Sequence, residues 1–250
     1  MAVYLLIHGQ SLQPAPFPKS ILPGNMRFEI IKGIVTCVCL FWGSLPALAQ
    51  SRIYLSVGTA GSSPVSRQSV SDQRATSSAQ PTLELEFEKK IIGSVCLLTG
   101  LSTFGVSYSN DYGPPGSVSR FNARYLAVPL LARWNIRNRN SFYFDIGIQP
   151  YYLLDAHLEE SITRFGDLRT AQGDITAYSN RFFMSTRFQV TKAFNRINIS
   201  FFVFSAFAGQ SSIKDLADHW PFNEQQSTYL ISEGYSSLLV LGLKVGVRIK

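Results

Sequence analysis

The chain has 250 residues, 46% of them apolar, 13% aromatic and only 16% charged, with a formal charge of +7. Such a chain makes one large domain or two small ones, with enough apolar surface for a sizeable core or lipid contact. Many aromatics and few charges at near-neutral hydropathy fit a membrane β-barrel, where half of each strand is polar. No basic cluster interleaved with aromatics argues for nucleic acid as a partner.

The N-terminus reads as two pieces. Residues 1–25, with Pro14, Pro16, Pro18 and Pro23, fit no targeting layout and read as an extension or a mis-assigned start. From Met26 a short charged start (Arg27, Lys32), an apolar run from Ile34 to Leu48 and Ala47-Leu48-Ala49 form a secretory signal over residues 26–49. That run is too short, and too interrupted by Gly43 and Pro46, for a membrane helix. Cleavage after Ala49 removes Lys19, Arg27, Lys32 and Glu29, leaving a formal charge of +5, and takes away Cys37 and Cys39. Cys96 then stands alone, so the exported domain, residues 50–250, is no disulfide scaffold.

Eight strands follow. The first, Arg52 to Ala60, alternates Ile53, Leu55, Val57 and Thr59 against Arg52, Tyr54, Ser56 and Gly58, and residues 61–80 read as a long polar loop. The second, Thr82 to Lys90, sets Leu83, Leu85 and Phe87 against a stripe of Glu84, Glu86 and Glu88, which belongs in a lumen or in water rather than in hydrocarbon. A turn at Ile92 to Ser94 leads to a third strand, Val95 to Ser109, whose register the pattern leaves open, and then to a Gly/Pro loop over residues 110–122. The fourth, Tyr125 to Ile136, puts Leu126, Val128, Leu130, Ala132, Trp134 and Ile136 on one apolar face. Its other face carries Tyr125, Ala127, Pro129, Leu131, Arg133 and Asn135, and turns charged where a soluble core strand would stay oily. The apolar face therefore looks out at lipid and the mixed face into a lumen.

After a tight turn at Arg137 to Asn140, the fifth strand, Phe142 to Leu154, points Phe142, Phe144, Ile146, Ile148 and Tyr152 outward and Tyr143, Asp145, Gly147, Gln149 and Tyr151 inward. Residues 155–178 read as a long polar segment. The sixth, Asn180 to Ala193, sets Phe182, Met184, Phe188 and Val190 against Arg181, Ser185, Arg187, Gln189 and Thr191. A short turn at Asn195 connects the seventh, Arg196 to Ala208, and residues 209–235 form the longest loop. The last strand, Ser236 to Ile249, alternates Leu239, Leu241, Leu243, Val245, Val247 and Ile249 with Gly242, Lys244, Gly246 and Arg248. Connections alternate long and short, which predicts an all-β, eight-stranded, antiparallel up-and-down transmembrane barrel with short periplasmic turns and long extracellular loops. An even number of strands closes the sheet without an edge in lipid.

The segment YLAVPLLARW, and within it Tyr125, Leu126, Val128, Pro129, Leu130 and Leu131, resembles the Y-L-x-I-P-L-L-x-K motif of PorT-like outer-membrane β-barrel proteins. The terminal LGLKVGVRI resembles their closing strand, although the chain ends on Ile249-Lys250 rather than on an aromatic. The resemblance implies an outer-membrane location and a barrel fold. Some named relatives serve protein secretion, and most members have no assigned activity.

Inside such a barrel Glu84, Glu86, Glu88 and Asp145 meet Lys90, Arg133, Arg181, Arg187, Lys244 and Arg248. An eight-stranded lumen is just wide enough to be filled by side chains, so these charges are expected to pair into a plug. Their functional alternative is a narrow ion path. Aromatics such as Tyr108, Tyr125, Trp134, Phe142, Tyr152, Phe182, Phe194 and Phe207 suit girdles at the lipid interfaces. His157, with Glu159 and Ser161, and His219, with Asp215 and Asp218, could seat a loop catalyst or a cation, but their spacing matches no mechanism-bearing motif. No Cys/His metal cluster or phosphate-cradling glycine loop is present in the sequence, and no cofactor is expected.

These features point to a non-enzymatic outer-membrane protein with a filled lumen. It would act as a structural, interaction or envelope-assembly and secretion accessory component through its outer loops. Its expected partners are outer-membrane lipid, the outer-membrane assembly machinery during insertion, and a protein at the outer loops. Two rivals are a barrel enzyme acting on lipid or peptide at the outer rim, and a soluble periplasmic ligand-binding barrel with its faces inverted.

Overall fold

In a computed structural model the described residues are 51–65, 74–111, 118–135, 141–164, 167–179, 181–206 and 237–249. The N-terminal extension, the signal segment and the 209–235 loop lie outside them. Among the described residues eleven strands form one sheet: β1 Ser51–Val65, β2 Arg74–Ser77, β3 Gln80–Ile92, β4 Val95–Asp111, β5 Val118–Ala127, β6 Leu130–Asn135, β7 Phe142–Arg164, β8 Asp167–Asp174, β9 Phe182–Phe194, β10 Ile197–Ala206 and β11 Ser237–Arg248. Neighbours pair antiparallel throughout, and β1 pairs with both β3 and β11, so the sheet closes.

Eleven strands make eight staves because three staves are interrupted. β5 and β6 continue one register against β4, with Ala127 opposite Ser102 and Leu130 opposite Thr99. The break falls at Pro129, which has no N–H to give the ladder, while Val128 N–H still donates to Pro150 O at 2.9 Å. β2 and β3 form another stave against β4, and the register slips by one residue between Ser77–Tyr108 and Thr82–Phe104. β8 and β9 form the third, both along the same edge of β7, with the break over residues 175–181, where Ile175 N–H donates to Ala156 O and Leu153 N–H to Arg181 O.

At one end the strands join by tight connections. Gly93-Ser94 links β3 to β4 and Asn195-Arg196 links β9 to β10, with Gly93 (φ 54°) and Asn195 (φ 52°) in the left-handed region that such turns demand. At the other end the strands run past the expected boundaries. β1 continues to Val65, β2 lies in the segment expected to be loop, β5 begins at Val118, and the 155–178 segment is a β7–β8 hairpin, with Ser161 opposite Thr170.

Alternation sorts the side chains as the barrel requires. On β11 the outward Leu241, Leu243, Val245 and Val247 are 42–52% exposed, while Val240 and Lys244 are buried. The third strand, which the pattern leaves open, turns Leu98, Phe104, Val106 and Tyr108 inward and Leu101 outward. β7 changes parity once. Arg124 pairs with Asp155 but Tyr125 with Leu153, so Leu154 is a bulge. Below it the odd residues point inward; above it Ala156, Leu158 and Glu160 do.

Gly242 lies beneath the Phe202 ring, and a side chain there would enter the ring itself. Gly242→Leu is therefore expected to lower unfolding stability in detergent by about 1–3 kcal/mol through overpacking. Gly61→Ala, where the added carbon meets nothing within 4 Å, should stay within about 0.5 kcal/mol of the parent. Urea titration of both variants checks this contrast.

Candidate functional site

The lumen has two layers. The layer nearer the tight turns is ionic. Arg133 on β6 grips Asp145 of β7 with two parallel bonds, Nε to Oδ1 at 2.7 Å and Nη2 to Oδ2 at 2.8 Å, and its Nη1 donates to Glu88 Oε2 at 2.7 Å. A planar guanidinium can hold two carboxylates in this way, which a lysine cannot. Gln189 Nε2 also donates to Asp145, at 2.9 Å, and the Tyr143 ring lies 5.1 Å from the guanidinium carbon. Beside this group, Arg187 on β9 donates to both oxygens of Glu84 at 3.0–3.1 Å, to Gln149 Oε1 at 2.8 Å and to Gln189 Oε1 at 2.6 Å. Lys244 on β11 meets Glu84 and Glu86, each at 2.8 Å, and Ser56 donates to Glu86 at 2.9 Å.

The sequence-derived set thus divides. Glu84, Glu86, Glu88, Arg133, Asp145, Arg187 and Lys244 come together and are all buried. Lys90 is exposed and Arg248 half-buried, both near the tight-turn end, and no ion pair joins either to the group among the described residues. Arg181 stands apart as well. It precedes β9, and its Nη1 reaches the Tyr152 hydroxyl at 3.3 Å, away from the carboxylates. The cation missing from the expected set is Arg52, whose Nη1 lies 3.2 Å from Glu88 Oε1 at the rim. Its inward parity with Tyr54 and Ser56 was the available signal. Four carboxylates then face four cations. Among the described residues four buried side-chain polar atoms lack a hydrogen bond, and one of them, Glu86 Oε1, is the atom that the Lys244 ammonium meets.

The second layer is aromatic. Phe104 stacks on Tyr125 at 5.1 Å and meets Phe204 edge-on at 5.0 Å; Tyr151 stacks on Phe183 at 5.3 Å and meets Tyr125 edge-on at 5.4 Å. Phe202 bridges the layers, stacked on Phe204 at 6.1 Å with the Arg187 guanidinium 4.7 Å from its centroid. Tyr108 and Tyr125, expected at the lipid interface, belong to this interior. Their place on inward parity overrides the girdle reading, and Tyr108 stacks on Phe121 above the layer. Of the motif residues, Tyr125, Pro129 and Leu131 are buried, while Leu126, Val128 and Leu130 lie on the outward parity.

Of the residues weighed for chemistry, His157 is exposed on the outward face of β7, Glu159 pairs with Arg120 at 3.6 Å, and Ser161 lies two residues further along the strand. Asp215, Asp218 and His219 fall outside the described residues. Among the described residues no three His, Cys, Asp or Glu side chains are placed to hold a metal ion.

Arg133→Leu leaves Glu88 and Asp145 buried without their shared cation. The expected loss is about 3–5 kcal/mol of unfolding stability. The double change Arg133→Leu with Asp145→Leu should recover part of it, whereas Arg52→Gln, at the solvated rim, should cost less than about 1 kcal/mol. A double-mutant cycle by urea unfolding measures all three.

No family profile matches the chain, and no curated protein matches it. Among solved structures it is similar to Neisserial surface protein A, with 8% identity and a TM-score of 0.38 over 80% of this chain and 97% of that one. It is also similar to Ail, the attachment invasion locus protein of Yersinia pestis, with 10% identity and a TM-score of 0.39 over 80% and 97%. A third likeness is to CarO of Acinetobacter baumannii, with 14% identity and a TM-score of 0.36 over 76% and 96%.

Proposed function

We propose that the protein is a non-enzymatic integral outer-membrane barrel, closed by its own side chains, that works through the end bearing the long connections. The observation that carries this reading is the outward face. Leu55, Leu83, Leu101, Leu130, Ile148, Phe188, Phe201 and Leu243 expose 37–52% of their surface around the barrel, which in water would be a severe liability. On β11 the apolar outward run from Leu239 to Ile249 has about the nine to eleven residues that a tilted strand needs to cross a bilayer.

Aromatics bound that belt. Near the tight turns Trp134 stacks on Phe144 at 6.4 Å, and Lys192 lies 4.2 Å from the Phe142 centroid and 5.7 Å from that of Phe194, an arrangement suited to an ammonium reaching the headgroups. At the far edge Tyr152 pairs with the exposed Phe182. Beyond Leu126 and Leu154 the outward residues become Arg124, Asn122, Arg120, Asp155, His157 and Glu159, as expected of strands emerging into water. The tight turns would then face the periplasm and the long connections the exterior. The soluble-barrel alternative needs the apolar face inside, and the packing opposes it.

Arginine, tyrosine and phenylalanine packed across the lumen favour a plug over an open pore. The PorT-like resemblance adds a role in envelope assembly or secretion, with a protein partner at the outer loops, to this reading. A lipid- or peptide-modifying activity at the rim would use His157 or His219, and alanine at both is expected to leave the cell's lipid profile unchanged.

Fractionation of expressing cells, with a gel of boiled and unboiled detergent extract, tests the placement. The expected result is recovery in the outer membrane with a heat-dependent mobility shift; recovery in the soluble periplasm would overturn it. Val245→Asp, at the middle of the outward face of β11, should reduce the heat-shifted form, because charge facing hydrocarbon near the midplane costs about 2–4 kcal/mol for the basic residues and somewhat less for an acid.

A further inference from the structure

The rim where the outward face changes from apolar to charged carries two arginines that the lumen does not use. On β5, Arg124 is held by Asp155 of β7, with Nε at 2.8–3.0 Å from both carboxylate oxygens and Nη2 at 2.7 Å from Oδ2. Its side chain is nonetheless 75% exposed, and Nη1 has no partner among the described residues. On the other side of β7, Arg181 is tethered by Nη1 to the Tyr152 hydroxyl, and its backbone oxygen accepts from Leu153 N–H at 2.7 Å. Nε and Nη2 of Arg181 have no partner among the described residues. The two guanidinium groups therefore flank β7 from neighbouring staves, two strand spacings apart, roughly 10 Å.

Their height follows from the bulge at Leu154. Because parity changes there, Leu154 and Asp155 both face outward in succession, and hydrocarbon contact gives way to charge within one residue. Leu126, Tyr152 and the exposed Phe182 lie immediately below. Asp155 offsets part of the Arg124 charge, while its hydrogen bonds raise the guanidinium pKa and fix its plane. Two oriented cations, with spare N–H groups at the level of lipid headgroups, meet the chemistry of phosphate oxygens.

We propose that Arg124 and Arg181, supported by Tyr152, form a docking surface for a lipid headgroup whose phosphate carries net negative charge, on the outer side of β7. The proposal rests on the membrane placement given above. Arg120, paired with Glu159 one row above Asn122, stands about a Debye length further from the belt and is the natural control.

The test uses the full mature chain folded into phosphatidylcholine vesicles that contain bis-phosphorylated lipid A, phosphatidylglycerol, or no phosphomonoester or anionic lipid. The barrel is extracted in mild detergent and its retained lipid is quantified by mass spectrometry. Expected is selective retention of a lipid whose phosphate carries net negative charge over the zwitterionic phosphatidylcholine, reduced about tenfold or more in R124Q/R181Q and changed less than about twofold in R120Q. D155N, which removes the offsetting charge, should raise retention; a purely structural Arg124–Asp155 pair would predict no rise. Preference between the two anionic lipids identifies the source, a phosphomonoester or a phosphodiester, and either preference supports the proposal. Equal retention by parent and double variant, with both still showing the heat-dependent shift, would overturn the docking surface and leave the membrane placement intact. Failure of the parent to enter neutral vesicles would overturn both.

Discussion

The inside of an eight-stranded barrel is too narrow to hold bulk water and too wide to be left empty, so its own side chains must fill it. Each strand alternates, and every residue that fills the lumen commits its neighbours to the outside. Here the filling includes Arg133, Arg187 and Lys244, each almost fully buried. They persist there because Asp145, Glu88, Glu84 and Glu86 come from other staves to meet them. Arg133 ties β6 to both β7 and β3, and Lys244 ties β11 to β3. A one-residue slip of any stave would put these ions in the apolar belt and the belt residues in the lumen. The ion pairs therefore set register more than they add stability.

Above the ionic layer the same constraint is met by rings. Phe104, Tyr125, Tyr151, Phe183 and Phe204 occupy the cross-section with stacked and edge-on contacts, and Phe202 joins them to Arg187 through a cation–π contact. Small residues make this possible, because the ring of Phe202 occupies the space a side chain on Gly242 would need. Further along, Leu153, Ala156, Leu158 and Ile175 extend an apolar interior beyond the belt, while Arg120, Arg124, Asp155 and Glu159 carry the outer surface. Apolar residues thus lie outside along the belt and inside beyond it, and the change falls at Leu154.

Period-two alternation made most of this legible from the chain. The stripe of Glu84, Glu86 and Glu88 opposite Leu83, Leu85 and Phe87 admits few other readings, and in the structure these three carboxylates are buried. Tyrosine is ambiguous, since an amphipathic ring suits both a headgroup girdle and a core: alternation puts Tyr125 on the lumen face while its character suits a girdle, and Tyr108 lies in the strand whose register the pattern leaves open. Arg181 escaped because it stands just before β9, where ladder alternation no longer fixes its direction. Arg52 escaped because charge at a strand's first residues looks like a solvated terminus. The β7–β8 hairpin was hidden by its chemistry: its inward residues mix Leu158 with Ala156, Glu160, Ala171 and Gly173, its outward ones are polar apart from Leu168, and the bulge breaks the count between Tyr152 and His157. A hydrophobic pattern does not report a strand whose inward face mixes one leucine with small and charged residues.

The whole arrangement turns on whether the exposed apolar face touches lipid and the charged face does not. In a Cys96→Ser background, nitroxide labels at Leu55, Leu101, Phe188 and Leu243, one position at a time in refolded vesicles, would be read by relaxation with oxygen, which concentrates in hydrocarbon, and with a water-soluble nickel chelate. The expected result is oxygen-dominated relaxation at all four positions, which lie on four separate staves. Nickel-dominated relaxation at these positions, with the barrel still folded, would contradict the account and turn the molecule inside out.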